Sequence, residues 1–412
     1  SLISTLFTGV SGLSANSAAM GVIGDNISNV NTVGFKESKA VFSDIFSTIL
    51  TNGSVTSQLG RGSQLQGTIQ SFSQGSFEAS TNALDLAIDG SGFFVVNNGS
   101  GNFYTRAGQF RLNDDGLVQT ITGEILQGNQ ITNGVSSTTT GNIDLAGVQS
   151  APQASTTFEI GVNLDSSSSA TTTFNTPISL FNSVGSQILL NAQFTKVAGS
   201  NSWTYNLSPS DGTVTSGGSG TVTFDSSGQM ASINGALADQ TIVIDYSAAN
   251  PPAASQTLTW DLVDSTGASN GKLTGFAAQS NNNSLVQDGF TTGTLVGLTV
   301  NSEGIIGGLF NNGQTDNLFQ VVMADFLAPS GLTRQGQNLF SESAESGQPV
   351  LGVAETGGFG GIAGQSLELS NVDLAEQFVT MIQTQQAFQA SARVITTTDD
   401  LLSEAVNLEI GR

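Results

Sequence analysis

Apolar residues recur along the first thirty positions at steps of mostly three, four and seven: Leu2, Leu6, Val10, Leu13, Met20, Ile23, Ile27 and Val30. This spacing predicts an amphipathic or coiled-coil helix. Gly9, Gly12, Gly21 and Gly24 interrupt it, each costing about 1 kcal/mol relative to Ala in a helix interior. Asp25 is the only charge in the first 33 residues. A helix of this kind is marginal alone, so it must gain stability by packing against something. Asn26, Asn29 and Asn31 then end the pattern, because Asn side chains compete for backbone groups and tolerate left-handed conformations. Gly34 permits a turn before "FKESKAVFSDIF" resumes an apolar pattern.

The other end supplies a partner. Leu374, Phe378, Met381, Phe388, Ala392, Ile395, Leu402 and Val406 stand near heptad positions. Asp373 can cap this helix, with Glu376 reaching back, and Gly411 sits where it would stop. Residues 373–409 would extend about 55 Å at about 1.5 Å per residue. The bland reading is two core helices of one globular domain. The near absence of charge on the N-terminal helix argues instead for a helix surrounded by other protein, or lining a neutral channel. On that reading the stripe positions from Leu2 to Ile27, with Leu374, Phe378, Met381, Phe388, Ile395, Leu402 and Val406, form a self-assembly core.

Between the ends the period changes to two. "FFVV" and "NFYTRAGQFRL" flank a Gly/Asn turn and read as a β-hairpin; "NDDG" is a further turn signal. Polar turns follow Phe46. From Asp144 to Asn283 the chain is richer in Ser, Thr and Ala. Alternation is clear there at Trp203, Tyr205 and Leu207, at Ile242, Ile244 and Tyr246, and at Leu258, Trp260 and Leu262. After Gln287 the composition and patterning of the first β-region return. The fold class predicted is mainly β with terminal α-helices, the β-domains nested between coiled-coil ends. Residues 1–33 and 371–412 form the helical core domain, 34–71 and 359–370 connect, 72–143 and 284–358 form a split first β-domain, and 144–283 an inserted outer β-domain.

Composition narrows the function. Only 10 % of the residues are charged and the net charge is −22. Between Leu112 and Thr333 the only basic residues are Lys196 and Lys272, so a nucleic-acid surface, which needs clustered Lys and Arg, is not expected. The chain has no Cys and no His, which excludes disulfides, thiolate nucleophiles and a Ser-His-Asp triad. Without an unbroken run of about 18 apolar residues no transmembrane helix is expected, and the N-terminus does not read as a cleaved secretory signal.

Catalytic motifs are not legible either. "IDGSGFF" and "GGFGGIAG" fit neither a Walker A loop nor a dinucleotide fingerprint, and Ser91 stands in no nucleophile elbow. Lys36, Lys39, Lys196 and Lys272 complete no Ser-Lys motif. Asp399 and Asp400 read as solvated or capping residues on a helix rather than a glycosidase pair. "DLVDSTGASNG" is acidic enough for weak calcium binding but reads first as a turn. No enzyme, cofactor or metal is expected.

Two stretches carry a resemblance. "FTGVSGLSANSAAMGVIGDNISNVNTVGFKESKAVFSDIF" resembles the N-terminal signature of bacterial flagellar axial proteins, the rod and hook subunits. Asn26, Asn29, Asn31, Gly34, Phe35 and Lys36 are its most specific part. "SNVDLAEQFVTMIQTQQAFQASARVITTTDDLLSEAVNL" resembles the C-terminal signature, and "TNALDLAIDGSGFFVV", "YTRAGQF" and "GLTRQGQNLF" the first β-domain. Gln386 and Ser391 depart from the family's common Arg and Asn. The large inserted domain is similar to hook rather than distal rod subunits, the rod remaining the alternative. The resemblance implies a tubular homopolymer outside the cell, exported by the flagellar type III apparatus without a cleaved signal. It implies a curved, flexible coupling that passes torque from rod to filament. Implied partners are the rod, hook-cap and hook–filament junction proteins and the export apparatus, with no nucleic acid and no membrane insertion. A secreted β-rich adhesin and a secreted hydrolase with a divergent site are the readings from other classes.

Overall fold

The computed structural model describes residues 2–45, 48–52 and 55–410, with side chains for 3–45 and 60–406. The side chain of Leu2 and the stop at Gly411 therefore lie outside the described residues. By internal packing the chain divides into two compact units, one of residues 1–147, 297–308 and 316–412, the other of 148–296 and 309–315.

In the first unit α1 spans Leu2–Ser28 and α2 spans Leu374–Ile410. Asp373 caps α2, its Oδ1 accepting from Ala375 N and Glu376 N at 2.8 and 3.3 Å. The reciprocal half of the expected capping box is replaced, since the Glu376 carboxylate faces Lys39 Nζ at 4.0 Å. α1 ends as the asparagines dictate: Asn29 N is shared between Asp25 O and Asn26 O, and Asn29 Nδ2 donates to Asp25 O at 2.9 Å.

Residues 34–71, expected to be a connecting segment, carry two antiparallel strand pairs. Ser38–Asp44 pairs with Ser63–Gln70, and Thr48–Asn52 with Val55–Leu59. Their apolar residues are few and scattered among Ser, Thr and Gln, too sparse for the sustained alternation by which a strand is recognised. "NFYTRAGQFRL" likewise divides. Asn102–Thr105 pairs with Phe93–Asn97, while Phe110–Leu112 pairs with Val118–Thr120. The two halves of the first β-body join in one sheet, where Gly128 before the insertion faces Val321 after it. Two small pairings, Gly361–Gly364 with Leu86–Asp89 and Ser366–Glu368 with Phe77–Ala79, lead the chain out toward α2. The apolar cores, around Phe94, Phe110 and Val321 and around Phe93, Tyr104 and Phe340, contain no residue of either helix.

In the second unit a five-stranded antiparallel sheet runs Thr173–Phe181, Gln187–Lys196, Ser202–Pro209, Ser219–Phe224 and Met230–Ile233. A second sheet contains Gln240–Asp245, Gln256–Trp260 and Thr157–Asn163. The alternating residues of both sheets share one core, in which Trp260 stacks on Phe158 at 5.9 Å and meets Tyr205 edge-on at 5.3 Å. The boundary read at Asn283 falls inside the strand Asn281–Gln287, which pairs with Thr157–Asn163.

Turns use one device repeatedly. An Asn or Asp side chain accepts the backbone N–H two residues on, and a Gly at the next position takes positive φ. Asn113 with Gly116 and Asp225 with Gly228 are examples, with φ of 83° and 77°. "DLVDSTGASNG" is another, Asp264 Oδ1 accepting from Thr266 N and Ala268 N at 2.8 and 3.1 Å. That carboxylate is committed to its own backbone, and among the described residues no group of His, Cys, Asp or Glu is placed to hold a metal.

Candidate assembly surface and neck

The helices run antiparallel, and the seam between them is not the one the heptads suggest. A Cβ on Gly9 would lie 2.8 Å from Ile395 Cγ1, and one on Gly12 would lie 2.9 Å from Ser391 Oγ. At the far end Asn26 Nδ2 donates to Gln377 Oε1 at 3.2 Å. Gly9, Ala15, Ala19, Ile23 and Asn26 form the buried line of α1. Small residues let the two backbones approach closely, so Gly9 and Gly12 are the seam rather than interruptions in it. Gly21 and Gly24 face open space.

The expected stripe is therefore divided. Ile23 is buried; Leu6, Leu13, Met20, Ile27, Met381, Phe388, Ile395 and Leu402 flank the seam half-buried. Val10, Leu374, Phe378 and Val406 are exposed in the single subunit. Given the antiparallel register, Val406 projects past the start of α1 and Leu374 past its end. Val10 belongs to a different line. At about 100° per residue, Ile3, Phe7, Val10, Ser14, Ser17 and Gly21 fall within about 40° of one direction along α1, and all six are exposed. Ile3, Phe7 and Val10 are 59 %, 61 % and 53 % accessible. Val379, Ile382 and Leu401 add exposed apolar surface on α2. Contiguous apolar surface of this kind marks an interaction face.

By length and composition, residues Ile3–Ser28 also reach the apolarity of a membrane span, although polar residues break every long apolar run in it. Within the subunit one side of this helix is closed by α2, and at Gly62 the hairpin reaches Thr8 and Ser11.

Beneath the helix pair lies a polar neck, and the motif residues build it. Asn26 Nδ2 donates to Ser38 O at 2.8 Å, and Ser38 N donates to Asn26 Oδ1 at 2.9 Å. Gln377 Nε2 donates to Glu37 Oε2 at 3.3 Å, and Glu37 N to Asn371 Oδ1 at 2.8 Å. Gly34 has φ of 69° and packs so closely that a Cβ would lie 2.5 Å from Ala107 N. Phe35 is buried, with the Arg334 guanidinium 5.3 Å from its ring centre. Asn29 bonds within its own turn, and Asn31 is exposed.

Lys36 enters a buried charge cluster. Its Nζ donates to Glu368 Oε1 and to Ser73 O, both at 2.7 Å. Gly75 N donates to the same carboxylate oxygen at 2.9 Å, and Arg106 Nη1 to Oε2 at 3.3 Å. Arg106 Nη2 also donates to Gly90 O at 2.7 Å, and its guanidinium stands 5.4 Å from the Phe93 ring centre. The Lys36 and Glu368 side chains are fully shielded from solvent. Burial pushes the pKa of both cations down, against the upward pull of Glu368. Arg106 and Glu368 carried no signal of their role in the sequence, being 262 residues apart.

Comparisons with known proteins give the family. Four family models match: "Flagella basal body rod protein" over residues 6–36, "Flagellar hook protein FlgE/F/G D1 domain" over 87–162, "Flagellar basal body protein FlaE D2 domain" over 153–290, and "Flagellar basal body rod FlgEFG protein C-terminal" over 363–408. The flagellar hook protein FlgE of Escherichia coli K12 is 32 % identical over 97 % of this chain and 98 % of its own. That of Borreliella burgdorferi is 31 % identical over 99 % and 100 %, and that of Salmonella typhimurium 31 % over 97 % and 98 %.

Proposed function

The chain belongs to the flagellar hook protein family, and from that membership we propose that α1 and α2 are its polymerising element. The protein is a structural subunit of the bacterial flagellar hook, part of an exported, extracellular assembly. The family is a structural one, not an enzyme family. The distal rod and adhesin readings are not favoured.

The observation that carries the proposal is the uncovered apolar line of α1 beside a seam made of glycine and alanine. A subunit that leaves Ile3, Phe7 and Val10 in water gains when a neighbouring copy covers them, at about 25 cal/mol per Å² of apolar surface. The apolarity of α1 is on this reading matched to protein neighbours and not to a bilayer, so no membrane insertion is proposed. Rod, hook-cap and hook–filament junction proteins and the export apparatus are the further partners proposed; the acidic surface suits none made of nucleic acid.

Paired substitutions test this. Phe388→Asp places a carboxylate at the helix seam, where a partly buried, unpaired charge is strongly disfavoured. Ser166→Asp places the same group in a serine-rich turn of the second unit. Tube yield is expected to fall roughly tenfold or more for Phe388→Asp, since an uncompensated buried charge costs several kcal/mol, and to stay near the parent level for Ser166→Asp. Equal yields would show that the helix pair does not carry assembly.

A further inference from the structure

We propose that Glu368 is the positioning residue that fixes the helix pair to the first β-body, so that a load on one reaches the other without slip. This rests on the hook reading only for what the load is; the joint itself stands on the geometry. Lys36 lies on the chain leaving α1, Glu368 on the chain entering α2, and Arg106 at the end of a β-body strand. One carboxylate thus receives both chain crossings and the body between them.

Its partners approach from different directions. Lys36 Nζ and Gly75 N share Oε1, while Arg106 Nη1 takes Oε2. Lys36 and Arg106 are each held at a second point, on Ser73 O and Gly90 O. Bonds to both oxygens of a planar group resist rotation as well as separation. Apolar contacts are not directional, and a packed apolar trio of the same volume would be about as stable as a buried ion cluster. Orientation is therefore what the charged cluster adds. The Asn26, Gln377 and Glu37 bonds lie on the same crossings but involve only the ends of the helices and the hairpin base; they do not reach Arg106.

The experiment uses the full chain, which has no cysteine of its own. Cysteines introduced at the exposed positions Gln389 on α2 and Ser100 on the β-body carry spin labels, and pulsed electron resonance reads the distance distribution between them. It is recorded on the isolated chain and on tubes in which labelled subunits are diluted with unlabelled ones. The parent is expected to give one narrow distribution. Glu368→Gln, and the triple variant Lys36→Met, Arg106→Leu, Glu368→Leu, are expected to give distributions at least twice as wide. The triple variant is expected to do so while its β-body melts within a few degrees of the parent, a combination that a merely stabilising role would not produce. If Glu368→Gln fails to fold, Lys36→Met, which keeps the Arg106 pair, is expected to fold and to broaden the distribution. Parent-like width in a folded Lys36→Met or triple variant overturns the proposal, as does a parent distribution that is broad in both samples. Failure of any variant to form tubes bears on the assembly reading and leaves the isolated-chain result decisive for the joint.

Discussion

A chain lacking residues 1–33 and 371–412 is expected to be a soluble, folded β protein that forms no tubes. The reason lies in the division of the cores. Neither apolar cluster of the first β-body contains a helix residue, and the second unit has a core of its own. The truncated chain keeps Lys36, Arg106 and Glu368, so the buried charges remain paired. It loses the Asn26 bonds to Ser38 and the Asn371 bonds to Glu37 and Ser71, all at the edge of the neck. Moving the second cut back to remove residues 365–412 should change the outcome. The strand Ser366–Glu368 is then lost from Phe77–Ala79, and Lys36 and Arg106 are left as two buried, unpaired cations. Removing one partner of a buried pair costs about 3–5 kcal/mol, against a total stability of about 5–15 kcal/mol for an ordinary domain. Urea unfolding of the two truncations compares them directly. A midpoint shared by both would mean that Glu368 contributes little, and ordered tubes from the shorter cut would mean that the helices are dispensable.

Removing the second unit is expected to leave tubes but straighten them. Ser150 and Gly293 face each other as cross-strand partners, so residues 151–292 can be replaced by a short Gly/Ser linker without stretching the chain. A bent tube turning about its own axis makes each subunit alternate between longer and shorter axial spacing. The displacement grows with radius. Helices packed through a close seam can slide only slightly, so most of the change would fall on whatever lies at larger radius, through contacts that break and reform. We propose that the inserted domain sets curvature in this way, its Ser- and Thr-rich surface making such contacts weak. Electron microscopy of the deleted protein should show straight tubes, and cells carrying it should bear filaments yet swim poorly. Normally curved hooks would assign curvature elsewhere.

The parts of this structure that were legible in the sequence are those with a strong period or a strong cap. Trp203, Tyr205 and Leu207 alternate and are buried. Asp373 announces α2, and the nested order follows from a composition that changes near Asp144 and returns after Gln287. The hairpin in residues 34–71 was not legible, because its outer strands bury little: among their large apolar residues, Phe42, Leu65 and Ile69 are all exposed. The seam of α1 was misplaced because the heptad template rewards large apolar residues, whereas close packing against Ile395 and Ser391 requires Gly9 and Gly12. Among the motif residues, Asn26, Gly34, Phe35 and Lys36 prove to be neck residues, joined to groups far along the chain. Lys36 and Glu368 are 332 residues apart, and no local pattern links them. Asn29 and Gly34 also do what their local chemistry predicts, ending the helix and making the turn, and among the described residues Asn31 makes no contact that explains it.

On the reading proposed above, the helix pair forms the core of a tube by burying the outward line of α1 against other copies. A helical reconstruction of the assembled protein by electron cryomicroscopy tests it most directly. It should place α1 and α2 at the innermost radius, with Ile3, Phe7 and Val10 packed against a neighbouring subunit. Tubes in which that line faces solvent, or whose inner wall is built from the β-bodies, would contradict it.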